Sequence, residues 1–181
     1  MIDARNYIAA DTLKDGTPAT IRAIGKDDRS GVLAAFKNLD RESVYTRFFT
    51  YKRGLTETEL RQLTEVDPDR VVALVVTTPI GDGEKLIGGG RYYSDVARQR
   101  AELAFLTDDA YHGRGIASLV LEHLAVIGRE HGILVFEADV LAENSAMLAV
   151  FRRSGLPMKI RTEGNVIHVK LSLTIDPPSS R

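Results

Sequence analysis

The chain has 181 residues, enough for one domain with a substantial core. With 44% apolar and 27% charged residues it has the composition of an ordinary globular protein. Its 24 basic and 25 acidic side chains leave a net charge of -1, which offers no overall field for nucleic acid or an anionic membrane. With no cysteine, disulfides, thiolate metal sites and a cysteine nucleophile are excluded. The four histidines, at 112, 123, 131 and 168, show no close metal-ligand spacing apart from His123 and His131, two helical turns apart, so no metal is expected. No leader pattern opens the chain and no window is apolar enough to cross a bilayer, so a cytoplasmic location is expected.

In chain order, residues 1–16 read as an N-terminal extension ending in the turn DGTP. TPATIRAI alternates as a strand, and from Asp27 to about Phe49 Val32, Leu33, Phe36 and Leu39 recur at helical spacing. TETELRQLTEV opens a second helix with a capping box, Thr56 at the cap and Glu59 three residues on. RVVALVVTT is a β-branched run suited to a strand buried on both faces. PIGDGEK is a turn, KLIGGGRYYS the returning strand, and RAELAFLT a third strand. Ile116, Leu119, Val120, Leu124 and Ile127 then form one stripe of a helix that stops at Gly132. ILVFEADVL is a strand, ENSAMLAVFRRSG a helix, and NVIHVKLSL a last strand before a flexible tail, 174–181. The order predicts a single α/β domain over 17–173.

The turn between RAELAFLT and the long helix raises the functional question. A helix N-terminus exposes N–H groups and favours an anion, and Gly113 and Gly115 let a phosphate approach the backbone closely. A P-loop requires a lysine after the second glycine, which is absent here. A dinucleotide fingerprint needs a third glycine where Ser118 stands. The segment HGRGIA, His112 to Ala117, instead resembles the pyrophosphate loop Q/R-x-x-G-x-G/A of acetyltransferases. It matches at Gly115 and Ala117, with His112 in place of Gln or Arg.

With the strand AELAF before this loop and AENSAM opening a helix after it, the chain from about Thr17 to Leu173 resembles the GNAT superfamily of N-acetyltransferases. That resemblance implies a mixed sheet of six or seven strands flanked by helices, with a splayed central pair. SVYTRFFTYKRGLTETELRQLTEVD, AELAF and VLAENSAML further resemble bacterial Pat-type protein lysine acetyltransferases. Those enzymes carry a synthetase-like or cyclic-nucleotide-binding domain for which this chain has no room, so a stand-alone catalytic domain is expected.

The resemblance implies acetyl-CoA as co-substrate and, as acceptor, a protein lysine, acetyl-CoA synthetase being one candidate. No nucleic acid or membrane partner is implied. Phe105, Leu106 and Thr107 would pair with the pantetheine arm. The N–H groups of Gly113, Arg114, Gly115, Ile116 and Ala117 would take the pyrophosphate, with Ser118 and His112 adjacent. Arg114 would add charge to the phosphates or lie solvated, and Asn144 would contact coenzyme A or simply cap its helix.

A free lysine titrates near 10.4, so a neutral amine at pH 7 costs about 4.6 kcal/mol and calls for a general base or a dry site that lowers the lysine's pKa. Glu102, the one acid inside RAELAFLT, is that base by resemblance, its competing role being an ion pair with Arg91 or Arg100; Glu137 and Asp139 are rival acids. Phe151 stands where many acetyltransferases carry a tyrosine general acid, so either the thiolate leaves without a side-chain acid or another group, such as Ser145 or a water, supplies the proton. His123 and His131 read as plain helix-surface residues. Tyr45, Arg47, Phe48 and Phe49 fall in the expected acceptor region, and one of Tyr92 and Tyr93 should turn inward. A small-amine acetyltransferase and a non-catalytic acyl-CoA sensor are the alternative functions.

Overall fold

The computed structural model describes residues 1–39, 54–95, 97 and 99–174. Eight strands, β1 (Ile8–Thr12), β2 (Pro18–Ala23), β3 (Val71–Ile80), β4 (Gly83–Asp95), β5 (Arg100–Thr107), β6 (Val135–Leu141), β7 (Met158–Glu163) and β8 (Val166–Ser172), form one sheet. Their order across it is β1-β2-β3-β4-β5-β6-β8-β7, with every pairing antiparallel except β5 to β6. Among the described residues the α-helices are α1 (Arg29–Lys37), α2 (Glu57–Thr64), α3 (Ile116–Glu130) and α4 (Ser145–Arg153).

The expected α/β class holds, with eight strands in place of six or seven. The two additions are the edge strands. β1 lies within the stretch read as an extension, and β7 consists of MKIRTE, whose residues after Met158 are all exposed. IAADT lacks the alternation that marks a half-buried strand, and in MKIRTE it lasts only from Met158 to Arg161.

The capping box forms as expected: Thr56 Oγ1 accepts from the Glu59 N–H at 3.1 Å, and the Glu59 carboxylate accepts from the Thr56 N–H at 2.9 Å. β3 is buried from Val72 to Thr78, as its unbroken β-branched run requires.

The two faces of the sheet carry different helices. α1 packs on the face bearing Val75 and Leu106 together with Val32 and Phe36, and α2 closes the same side through Leu63. α3 packs on the other face, where its apolar stripe completes the main core with Tyr92, Leu103 and Phe136. The glycine run at 88–90 permits this approach. A Cβ on Gly90 would lie 2.8 Å from both Phe105 and Val120, and one on Gly88 2.8 Å from Ile116.

His123 of α3 and His131, the residue that caps its C-terminus, are not plain surface residues. Tyr7 Oη lies 2.5 Å from His123 Nδ1. His131 Nδ1 lies 3.0 Å from Tyr92 Oη, and its Nε2 lies 3.0 Å from the Ile2 carbonyl oxygen. The N-terminal segment lies over α3 and leaves this helix flank half-buried, which helical periodicity could not foresee. Alternation does send Tyr92 inward, fully buried, while Tyr93 stays exposed. Burial pushes the Tyr92 phenol well above its ordinary range.

Candidate active site

β5 and β6 pair over three residues only, Arg100 with Val135, Ala101 with Phe136 and Glu102 with Glu137. β5 then continues to Thr107 against β4, and β6 turns to β8. The backbone edge of residues 103–107 on the β6 side therefore has no strand partner. This is the expected splay, and it begins directly after Glu102. An extended ligand with amide groups could complete that edge as a further strand would.

The glycine turn lies at the end of this edge. Asp108, 1% exposed, anchors it: its carboxylate accepts from the Ala110 N–H at 2.9 Å and from Asn38 Nδ2 at 3.0 Å, and lies 3.8 Å from Lys85 Nζ. A short 3-10 turn, Asp109–Tyr111, leads to Gly113 and Gly115, both left-handed with φ 78° and 85°. Gly115 is the N-cap of α3 and gives no side-chain cap. Among the described residues, no backbone acceptor takes the N–H groups of 113–118. The turn thus presents a row of free donors at the positive end of a 15-residue helix.

Cations flank these donors. The Lys14 side chain lies over Gly115, with Cε 3.0 Å from where a Cβ would stand, and the Lys14 N–H donates to the Arg114 carbonyl. The Arg114 guanidinium stacks 4.6 Å from the Tyr111 ring centre and pairs with Asp15 at 3.1 Å, so part of its charge is occupied. Asp15 is held below the usual carboxylate range, chiefly by Thr17. His112 is exposed and sits 3.3 Å from Asp109. The Ile116 side chain is core, so only its N–H faces the turn, while Ala117 and Ser118 are half-buried.

Asn144 caps α4, its Oδ1 accepting from the Met147 N–H at 3.1 Å, which leaves its amide nitrogen for other use. Phe151 is 1% exposed and meets Phe105 edge-on, with ring centres 6.1 Å apart.

Glu102 is exposed and directly opposes Tyr93 on β4 and Glu137 on β6. Neither expected partner pairs with it. Arg91 donates to the Leu63 carbonyl, and Arg100 donates to Glu137 at 3.2 Å. The rival acids are engaged instead: Glu137 by Arg100 and Lys170, Asp139 by His168 at 2.5 Å. Tyr45, Arg47, Phe48 and Phe49 lie outside the described residues. Among the described residues no cluster could hold a metal ion, and no helix is long and apolar enough to cross a membrane.

The splay, the uncapped glycine turn and the strand order all accord with one family, and the sequence model of the acetyltransferase (GNAT) family matches residues 35–156. The chain belongs to the GNAT acetyltransferase family. Members use acetyl-CoA as co-substrate, and the free donors and cations of the turn fit its phosphates. The chain is 33% identical over 116 residues to acetyltransferase Pat of Mycolicibacterium smegmatis, a match covering 63% of this chain and 34% of that protein. It thus spans about a third of that relative. It is 26% identical over 138 residues to acetyltransferase PA5475 of Pseudomonas aeruginosa, covering 76% and 74% of the two chains. Its structure is similar to the GNAT domain of S. lividans PAT, with a TM-score of 0.82 and 33% identity over 91% of this chain and 96% of that one.

Three further features of this GNAT site, Lys14, Lys85 and Asp108, were not legible in the sequence. Lys14 belongs to a β1–β2 hairpin some hundred residues before the loop, and only the folded sheet brings it there.

Proposed function

We propose that this acetyltransferase transfers acetyl from acetyl-CoA to the ε-amine of a protein lysine, with Glu102 as general base. The observation that carries this reading is the end of β5–β6 pairing at a glutamate without an ion-pair partner among the described residues, beside Glu137, which pairs with Arg100 and Lys170, and Asp139, which meets His168. The N–H groups of Gly113, Arg114, Gly115, Ile116, Ala117 and Ser118 hold the pyrophosphate, assisted by Lys14, Arg114 and His112. The open edge at Phe105, Leu106 and Thr107 pairs with the pantetheine amides, and the Asn144 amide nitrogen donates to the same arm. The thioester is thereby directed toward Glu102.

Glu102 accepts the proton of the lysine ammonium and so supplies a neutral amine. The amine nitrogen forms the new C–N bond as the C–S bond breaks and the electron pair leaves on sulfur, and the nitrogen then gives its second proton to solvent or to the departing thiolate, leaving a neutral amide. Phe151 is buried and has no proton to donate. A thiol titrating near 8.5 is a tolerable leaving anion at neutral pH, so no side-chain acid is required.

Release of free coenzyme A from acetyl-CoA tests the acceptor class, with acetyl-CoA synthetase offered as a protein acceptor beside a panel of small amines. Release with the protein, lost in Glu102→Gln, is the expected result. Release only with small amines would reassign the acceptor, and binding without release on any acceptor would favour a sensor.

A further inference from the structure

Arg91 is used by nothing described so far. It lies on β4, 7% exposed, directly between Ala73 of β3 and Ala104 of β5. Its Nη2 donates to the Leu63 carbonyl at 2.8 Å, in the last turn of α2. Its Nη1 is buried without a hydrogen-bond partner among the described residues. An arginine remains protonated in a protein, so this nitrogen keeps its charge and its hydrogens inside the fold. A buried cation with an unused donor is costly unless something pairs with it.

The same side chain lines a small apolar cleft of about 60 Å³, walled by Val32, Phe36, Val75, Ala104 and Leu106. Along the β4–β5 ladder, the Arg91–Ala104 pair sits between Tyr93–Glu102 and Gly89–Leu106. The cleft is therefore flanked on one side by the base and on the other by the edge assigned to the pantetheine. An acetyl group has no charge to meet the guanidinium.

We infer that Arg91 and this cleft form a subsite for a carboxylate carried on a short aliphatic chain, which takes the free Nη1 donors. The inference rests on the acetyl-CoA placement proposed above. The same chemistry has two sources: the far end of a dicarboxylic acyl-CoA, or an acidic side chain next to the acceptor lysine.

Calorimetric titration of the intact chain separates them. The donor arm compares succinyl-CoA with butyryl-CoA. The acceptor arm, run with saturating coenzyme A, compares a lysine peptide flanked by glutamate with one flanked by glutamine. Wild type should bind the carboxylate-bearing member about tenfold more tightly in one arm, as a charge-assisted pair allows, and that arm identifies the source. Arg91→Gln, which removes the charge and the Nη donors, should erase the preference while leaving acetyl-CoA affinity unchanged. Ala104→Asp should erase it too, with the arginine intact, by placing a carboxylate directly across from it. Equal binding in both arms of wild type, or a preference that survives both variants, overturns this inference and leaves the acetyl-CoA placement standing. Failure of wild type to bind acetyl-CoA overturns both.

Discussion

Replacing Glu102 by glutamine removes one carboxylate while keeping shape and hydrogen-bonding capacity. Glu102 is exposed and has no ion pair among the described residues, so its loss should leave the fold alone, within about 0.5 kcal/mol. The expected cost lies in the chemistry. Supplying a neutral lysine at pH 7 against a pKa near 10.4 requires about 4.6 kcal/mol, and a positioned base recovers about two to four orders of magnitude in rate. The variant should therefore lose about 100- to 10,000-fold in kcat/KM, or about 2.7–5.4 kcal/mol of barrier. Because hydroxide competes for the same proton, the deficit should narrow steadily as pH rises toward 10. Coenzyme A release followed from pH 6.5 to 10, with thermal melting beside it, measures both. A variant as active as wild type at pH 7, or a deficit independent of pH, would refute the role of base.

Gly90→Ala places a Cβ 2.8 Å from both Phe105 and Val120. Overpacking of this kind costs about 1–3 kcal/mol, so the melting temperature should fall by several degrees, about 2–4 °C per kcal/mol. Because Phe105 is one of the atoms pushed, KM for acetyl-CoA should rise as well. Lys14→Ala removes an exposed cation from beside Gly115 and should raise that KM by up to about fivefold with kcat unchanged.

Arg22 bridges Asp28 at 2.7 Å and Glu84 at 2.6 Å. Its hydrogen bond, with a further one from Thr77, holds the Glu84 carboxyl below its ordinary range; Asp28 is also lowered, the bonds from Arg22 and Gly25 outweighing its burial. A depressed folded pKa stabilises above the unfolded value and is lost as pH falls through the folded one. Wild type should accordingly keep this stability at pH 6 and lose it below about pH 4, and urea melts of Arg22→Gln should show a much weaker loss over the same window.

How much was legible depended on whether a residue's role is local. The Thr56–Glu59 capping box, the bounds of β5, and Gly113 and Gly115 at the head of α3 follow from nearest-neighbour chemistry, so they could be read directly. β1 and β7 are edge strands with exposed residues on both faces: IAADT does not alternate, and the short alternation from Met158 to Arg161 leaves Ile160 exposed. His123 and His131 sit on a helix flank whose cover comes from Tyr7 and Ile2, more than 100 residues away. Arg91 looks in sequence like an ordinary strand arginine. Only the packing of α1 and α2 over β4 leaves its guanidinium buried and half used.

The central claim is that acetyl-CoA lies along the open edge of β5 with its phosphates on the glycine turn. Amide hydrogen exchange of the wild-type chain, with and without acetyl-CoA, tests it without any substitution. The account predicts new protection at residues 103–107 and 113–118, with the β1 and β7 edges unchanged. Saturating acetyl-CoA that protects neither segment, or protects a different surface, would contradict it.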